Sequence, residues 1–115
     1  MDLLVPDYAH SALIIIDYQN DCILPGAPFE IAGSYDVLPK LQELVKHVRE
    51  SDMPVIHVVR AYLPDGSNVD LCRRRLVQNG AVLFQPHSEG IDFPEELKPE
   101  DKVELDWKLF FGKRK

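Results

Sequence analysis

Positive charge is scarce in this chain. Across 115 residues, 13 Lys and Arg stand against 19 Asp and Glu, a formal net charge of -6. A field of that sign repels phosphate backbones and anionic bilayers, so neither nucleic acid nor a membrane surface is an expected partner. Cysteine is scarcer still. Cys22 and Cys72 fit no metal-ligand spacing and lie far apart in a chain without secretory features, which reads as two free thiols and makes the cytoplasm the expected address. Long apolar runs are missing too: the stretch Leu13 to Ile16 falls far short of the roughly 20 residues of a membrane helix. The opening Met1-Asp2-Leu3 lacks the basic region of a secretory signal. No repeat, low-complexity tract or linker divides the chain, so residues 1–115 are expected to form a single domain with one modest core.

What is present is alternating secondary-structure signal. Ala12 to Ile16 is short, unbroken and isoleucine-rich, the pattern of a strand buried on both faces. Tyr18 to Gly33 reads as a long structured loop, with Pro25-Gly26 suited to the centre of a type II turn. Val37, Leu38, Leu41, Leu44, Val45 and Val48 recur at helical spacing, with Asp36 or Ser34 available to cap the helix and Pro39 tolerable in its first turn. Ser51-Asp52 ends that helix before Pro54, and Val55 to Val59 is a second strand with His57 at its centre. Strand, helix, strand with a connection this long implies a parallel crossover. Val69 to Asn79 reads as a second helix with Val69, Leu71 or Cys72, Leu76 and Val77 on its apolar side, stopped by Gly80. Residues 84–99 read as an irregular excursion, and Val103, Leu105 and Trp107 alternate as a third strand.

The chemistry gathers at Asp17. In open parallel sheets ligands bind beyond the carboxyl ends of the strands, and Asp17 follows the first strand directly. Two readings stand side by side: the carboxylate takes hydrogen bonds from the amides of the Tyr18 to Cys22 turn, or it serves as a catalytic group. Spacing excludes several familiar uses. A haloacid dehalogenase type phosphatase carries a second aspartate where Gln19 stands, and Tyr18-Gln19-Asn20 supplies none of the glycines of a dinucleotide or phosphate loop.

The stretch IIIDYQNDCILPG, residues 14–26, taken whole, resembles the opening of the isochorismatase-like hydrolases, a superfamily that includes nicotinamidases, N-carbamoylsarcosine amidase and ureidoacrylate amidohydrolases. In that family a hydrophobic strand ends in Asp-x-Gln-Asn-Asp and runs on to a Pro-Gly turn. The helix Val37 to Glu50 and the segment MPVIHVVR, residues 53–60, extend the resemblance, which covers Ala12 to Arg60 well and the remainder loosely. It implies an α/β, Rossmann-like fold, a three-layer parallel sheet with flanking helices, here expected to be incomplete at the C-terminus. It also implies hydrolysis of a small amide-type C–N bond by aspartate, lysine and cysteine. In that scheme Asp17 is the general base, a thiolate attacks the carbonyl, and backbone amides hold the oxyanion.

The remaining members of such a triad do not follow from position. Lys108 in DWKLFFG stands after a candidate strand but lacks the family's small residue before phenylalanine, and reads as a strand-end surface cation. The expected Gly-x-x-Thr-x-x-Cys setting is absent. Cys22 stands where relatives carry phenylalanine and reads as a small buried hydrophobe; Cys72 precedes Arg73-Arg74-Arg75, a run that reads as solvated surface. The Asp-x-His pair that binds metal in nicotinamidases is replaced by Arg60-Ala61-Tyr62, so no metal and no cofactor is expected. His57 reads as a core histidine with one nitrogen satisfied, and His87 has no evident partner. The expected partners are a small-molecule substrate and further copies of the chain, because a sheet this small leaves a face and an edge open. On this view the 115-residue chain alone is weak or inactive. A noncatalytic assembly protein on the same scaffold, or vinyl ether hydrolysis of the isochorismatase type without a cysteine, are the alternatives.

Overall fold

The computed structural model describes residues 3–99. Two parallel strands, β1 (Leu13–Ile16) and β2 (Val55–Val58), pair in register from Leu13 opposite Val55 to Ile16 opposite Val58. Between them lie a single helical turn, α1 (Asn20–Ile23), and the 13-residue helix α2 (Leu38–Glu50). After β2 come α3 (Leu71–Gln78) and two one-turn 3-10 helices, Glu89–Ile91 and Glu95–Leu97. The candidate strand Val103 to Trp107 and Lys108 lie outside the described residues.

Helix α2 forms where its apolar stripe is. Leu38, Val45 and Val48 are buried, and Leu38 and Val45 join Ile15 and Leu97 in a core against which Leu13, Leu41 and Val55 pack. Pro39 occupies the first turn as expected. The capping expectation fails: the N-cap is Val37, without a side-chain bond. Ser34 is unavailable because its hydroxyl donates to the Ile31 carbonyl at 2.6 Å and lies 3.2 Å from that of Cys22, tying down the preceding loop. In that loop Gly26 has φ 79° and Ala27 N–H donates to Leu24 C=O at 3.0 Å, as a type II turn over Pro25-Gly26 requires. At the other end of α2, Asp52 turns left-handed (φ 58°) and Met53 N–H closes on Val48 C=O at 3.1 Å, stopping the helix before Pro54.

One reading is corrected. Of the apolar side expected for α3, Val77 and Val69, the latter just before the N-cap Asp70, are buried, whereas Leu71, Cys72 and Leu76 are exposed and Arg73 turns inward instead. Val69 and Val77 pack on Tyr62, Leu83 and Phe84, while Arg73 spreads over the Phe29 ring at 4.6 Å. Residues 84–99 are irregular, as expected, but not peripheral: Phe84, Pro94 and Leu97 are among the most deeply buried side chains, so this backbone plugs both core clusters.

The expectation that the first strand is buried on both faces fails: among the described residues, only one face of the sheet is covered. Leu13, Ile15, Val55 and His57 face α2 and Leu97, whereas Ile14, Ile16, Ile56 and Val58 retain 54%, 63%, 39% and 38% of their accessible surface. Parallel sheets normally bury both faces, so four part-exposed aliphatic side chains on one face depart from that pattern. Replacing Ile16 and Ile56 together by Thr is therefore expected to change unfolding stability by less than about 1 kcal/mol, since both are exposed and Thr keeps strand propensity. The same change should lower binding of an apolar dye and light scattering; unchanged scattering would show that association uses another surface.

Candidate functional site

Asp17 leaves β1 with its backbone N–H still in the ladder, donating to Val58 C=O at 2.9 Å. Its φ of 58° is left-handed, a conformation Asp and Asn tolerate better than most residues. The turn lifts the carboxylate onto the carboxyl edge of the sheet, where the side chain keeps 38% of its accessible surface.

The amides of the Tyr18 to Cys22 turn do not bind this carboxylate. Gln19 N–H goes to the Asp17 backbone carbonyl at 3.0 Å, Asn20 N–H to Asp92 C=O at 2.8 Å, and Cys22 N–H to Gln19 C=O at 2.9 Å. The side-chain partner is instead Arg60, whose Nη2 lies 3.4 Å from Asp17 Oδ2. Arg60 Nη1 donates to Tyr62 Oη at 2.9 Å and to Asp70 Oδ2; Tyr62 O–H donates to Asp70 Oδ2 at 2.7 Å, and Arg73 Nη1 donates to Tyr62 Oη at 3.2 Å. The hydrogen bond to Tyr62, opposed by partial burial and reinforced by Asp70 and Asp17, holds the Arg60 guanidinium above its ordinary range, so it carries its charge throughout the working pH range.

Sequence reasoning missed what Gln19 and Asp21 do. Gln19 is wholly buried: its Nε2 donates to the carbonyls of Arg60 and Ile91, both at 2.9 Å, and its Oε1 accepts from Arg60 N–H at 2.8 Å. Asp21, also buried, accepts from Phe84 N–H at 2.7 Å and lies directly over Gly90, where a Cβ would overlap both carboxylate oxygens. The signal was present in the unusual density of amide and carboxylate side chains in Gln19-Asn20-Asp21, but their partners are carbonyls and amides 41 to 72 residues away.

The other candidates are dispersed. Cys22 is buried beside these groups. Burial, partly offset by Arg73 and augmented by Asp17 and Asp21, pushes its thiol up, away from the reactive thiolate. Cys72 is a free, exposed thiol on the outer side of α3, and of its following arginines Arg73 turns inward to Tyr62 while Arg74 donates to Val69 C=O at 3.2 Å, so this run is only partly a solvated surface. His57 corrects expectation: both ring nitrogens are buried with no hydrogen-bond partner among the described residues, and the ring lies 4.2 Å from that of Phe93. His87 is exposed on a left-handed residue, φ 67°. Among the described residues, no group of three or more His, Cys, Asp or Glu is placed to hold a metal ion, and no helix is long and apolar enough to cross a membrane. A cavity of ≈ 620 Å³ lined by Tyr8, Leu13, Leu44, His47 and Met53 lies at the opposite, amino end of β1, remote from the strand ends where parallel sheets present their chemistry.

A parallel strand pair under helical cover, with a carboxylate raised at its carboxyl edge, defines an α/β domain. The model of the isochorismatase domain matches residues 11–111, and the chain belongs to that family. It is 36% identical over 67 residues to an Arabidopsis thaliana protein named "probable inactive nicotinamidase", covering 58% of this chain and 34% of that protein. It is 27% identical over 92 residues to the uncharacterized isochorismatase family protein YddQ of Bacillus subtilis (strain 168), covering 80% and 43%. Among solved structures it resembles an isochorismatase family protein from Desulfovibrio vulgaris (TM-score 0.72, 38% identity, 76% of this chain and 46% of that one). It also resembles an isochorismatase-like hydrolase from Alkaliphilus metalliredigens (TM-score 0.61, 26% identity, 79% and 47%). The chain thus spans less than half the length of these relatives.

Two substitutions check this geometry. Gly90→Ala must displace Asp21 from Phe84 N–H and is expected to cost about 1 to 3 kcal/mol in denaturant unfolding, as for an overpacked site that loses a buried hydrogen bond; a cost near zero would mean that the Asp21–Gly90 contact is loose. Burial, with Arg49 adding, pulls the His57 pKa below its ordinary 6.5. The unfolded chain therefore takes up the proton first as pH falls. Stability from neutral His57 is full above the unfolded value and drains away as pH falls through the lower folded value. His57→Phe is expected to flatten that slope in urea midpoints taken from about pH 7.5 down to 5; an unchanged slope would assign it to other groups.

Proposed function

We propose that this domain contributes the general base of an isochorismatase-family hydrolase that cleaves a small amide-type C–N bond, and that Asp17 is that base. The observation that carries the reading is the Asp17 carboxylate: it stands at the strand end, accessible, with one long contact to a fixed cation and none to the turn beneath it. Such a group can take a proton from an incoming thiol or water without first breaking a network of strong bonds. On this reading the attacking thiolate is supplied by neither cysteine of residues 1–115, because Cys22 is buried with its thiol pushed up and Cys72 is exposed on α3 with no link to Asp17. Free cysteines support a reducing, cytoplasmic setting. The bare sheet face supports association with a further copy of the chain, and the substrate is a small molecule.

The same two cysteines, with a relative named "probable inactive nicotinamidase", favour a second reading, a noncatalytic assembly domain in which Asp17 only ends the strand. Asp17→Asn separates the two, since Asn tolerates the left-handed turn but is no base. On the hydrolase reading, the chain alone turns over small amides and N-carbamoyl compounds no faster than buffer. Joined to a relative's cysteine-bearing half, it hydrolyses one of them, and Asp17→Asn lowers that rate by about 10² to 10⁴ without changing the melting temperature. Equal rates with and without the carboxylate in a folded Asp17→Asn would exclude Asp17 as the base.

A further inference from the structure

Asp70 is the N-cap of α3, yet its carboxylate makes no capping bond to that helix. An N-cap aspartate ordinarily accepts from the free amides of the first turn. Here both roles of the residue are split: the backbone carbonyl receives Arg73 and Arg74 N–H at 2.9 Å, and the side chain turns across to Arg60 and Tyr62. Oδ2 of Asp70 is the point where the Arg60 guanidinium and the Tyr62 hydroxyl meet, with Arg73 Nη1 3.7 Å away.

Arg60 is thereby held at both ends. Its peptide group is clasped by the Gln19 carboxamide through both N–H and C=O, and its Nη1 is held by Asp70 and Tyr62. Its other terminal nitrogen, Nη2, is the one that faces Asp17. A guanidinium is a rigid planar fork, so fixing one branch aims the other. Without Asp70, the Arg60 guanidinium would keep the neutral Tyr62 hydroxyl and the 3.4 Å contact to Asp17, and would lose its one close, charge-assisted partner.

We propose that Asp70 is a positioning residue: together with Tyr62 it locks the Arg60 fork, and through that fork it sets the orientation of the Asp17 carboxylate. The inference rests on the reading of Asp17 as the base, but its test needs no substrate. Arginine side-chain and carboxyl-carbon NMR of the 115-residue chain reads rotation about the Arg60 Cζ–Nη bonds and the Asp17 Cγ resonance. In Asp70→Asn, Arg60 rotation is expected to quicken about tenfold or more, the effect of losing a charge-assisted hydrogen bond, and the Asp17 Cγ signal to move while the amide signals of α2 stay in place. A purely structural Asp70 would lower the melting temperature and leave Asp17 Cγ where it was, which would overturn the proposal. If Asp70→Asn does not fold, Tyr62→Phe keeps every charge and decides: a smaller change in the same two signals supports the lock, unchanged signals overturn it. Failure of the domain to support hydrolysis would not touch these readings, and an Asp17 indifferent to Asp70 would leave its role as base to the activity test.

Discussion

One buried carboxamide holds the working edge of this domain together. Gln19 has no contact with solvent, and an amide taken out of water is costly unless its donors and acceptor are used. All of them are: two carbonyls receive its Nε2, and Arg60 N–H reaches its Oε1. Those partners belong to the chain leaving β2 and to the stretch that runs past Glu89–Ile91, so three segments meet at a single side chain. Asn20 adds bonds to Glu89 and Asp92, and Asp21 adds one to Phe84. The turn after β1 is therefore anchored by its side chains as well as by its backbone. The carboxylate of Asp17, two residues before Gln19, takes no part in that anchoring; its side-chain partner is Arg60.

The same anchoring explains how an irregular region becomes core. Residues 84–99 contain no long helix or strand, yet Phe84 and Leu97 close the two apolar clusters from the outside. Backbone without a ladder of its own must find partners elsewhere, and here it finds the polar side chains of the Gln19 to Asp21 turn. Packing and polar satisfaction are coupled: the apolar plugs sit where they do because the amides between them are tied to the strand ends.

Charge around Asp17 is arranged in the same economical way. Arg60 and Arg73 face Asp17 and Asp70 with Tyr62 between them, a balanced group of two cations and two anions in a chain of net charge -6. Asp70 takes the tighter hold on Arg60, so the cation stands near Asp17 without being spent on it. The opposite face of the sheet is bare aliphatic surface, and the relatives, more than twice as long as the stretch they share with this chain, contain further polypeptide. Site and sheet are each one-sided within the described residues.

Much of the frame was legible because it depends on local pattern. Isoleucine and valine runs of four or five residues, a helical stripe from Leu38 to Val48 and punctuation by Pro25-Gly26 and Ser51-Asp52 dictate strand, helix and turn from neighbouring side chains alone. The position of Asp17 at a strand end followed from that frame. The inward face of α3 did not, because Leu71, Leu76 and Val77 are equally apolar and only the location of the Tyr62–Phe84 cluster selects between them. Nor did the capping of α2, since Ser34 had a competing carbonyl that sequence does not reveal. Sequence by itself determined where the carboxylate would stand, through an unbroken β-branched run and the period-3.6 stripe of the helix after it; tertiary structure decided what stands beside it, because Arg60, Asp70 and the partners of Gln19 reach one point only after segments distant in the chain are folded together.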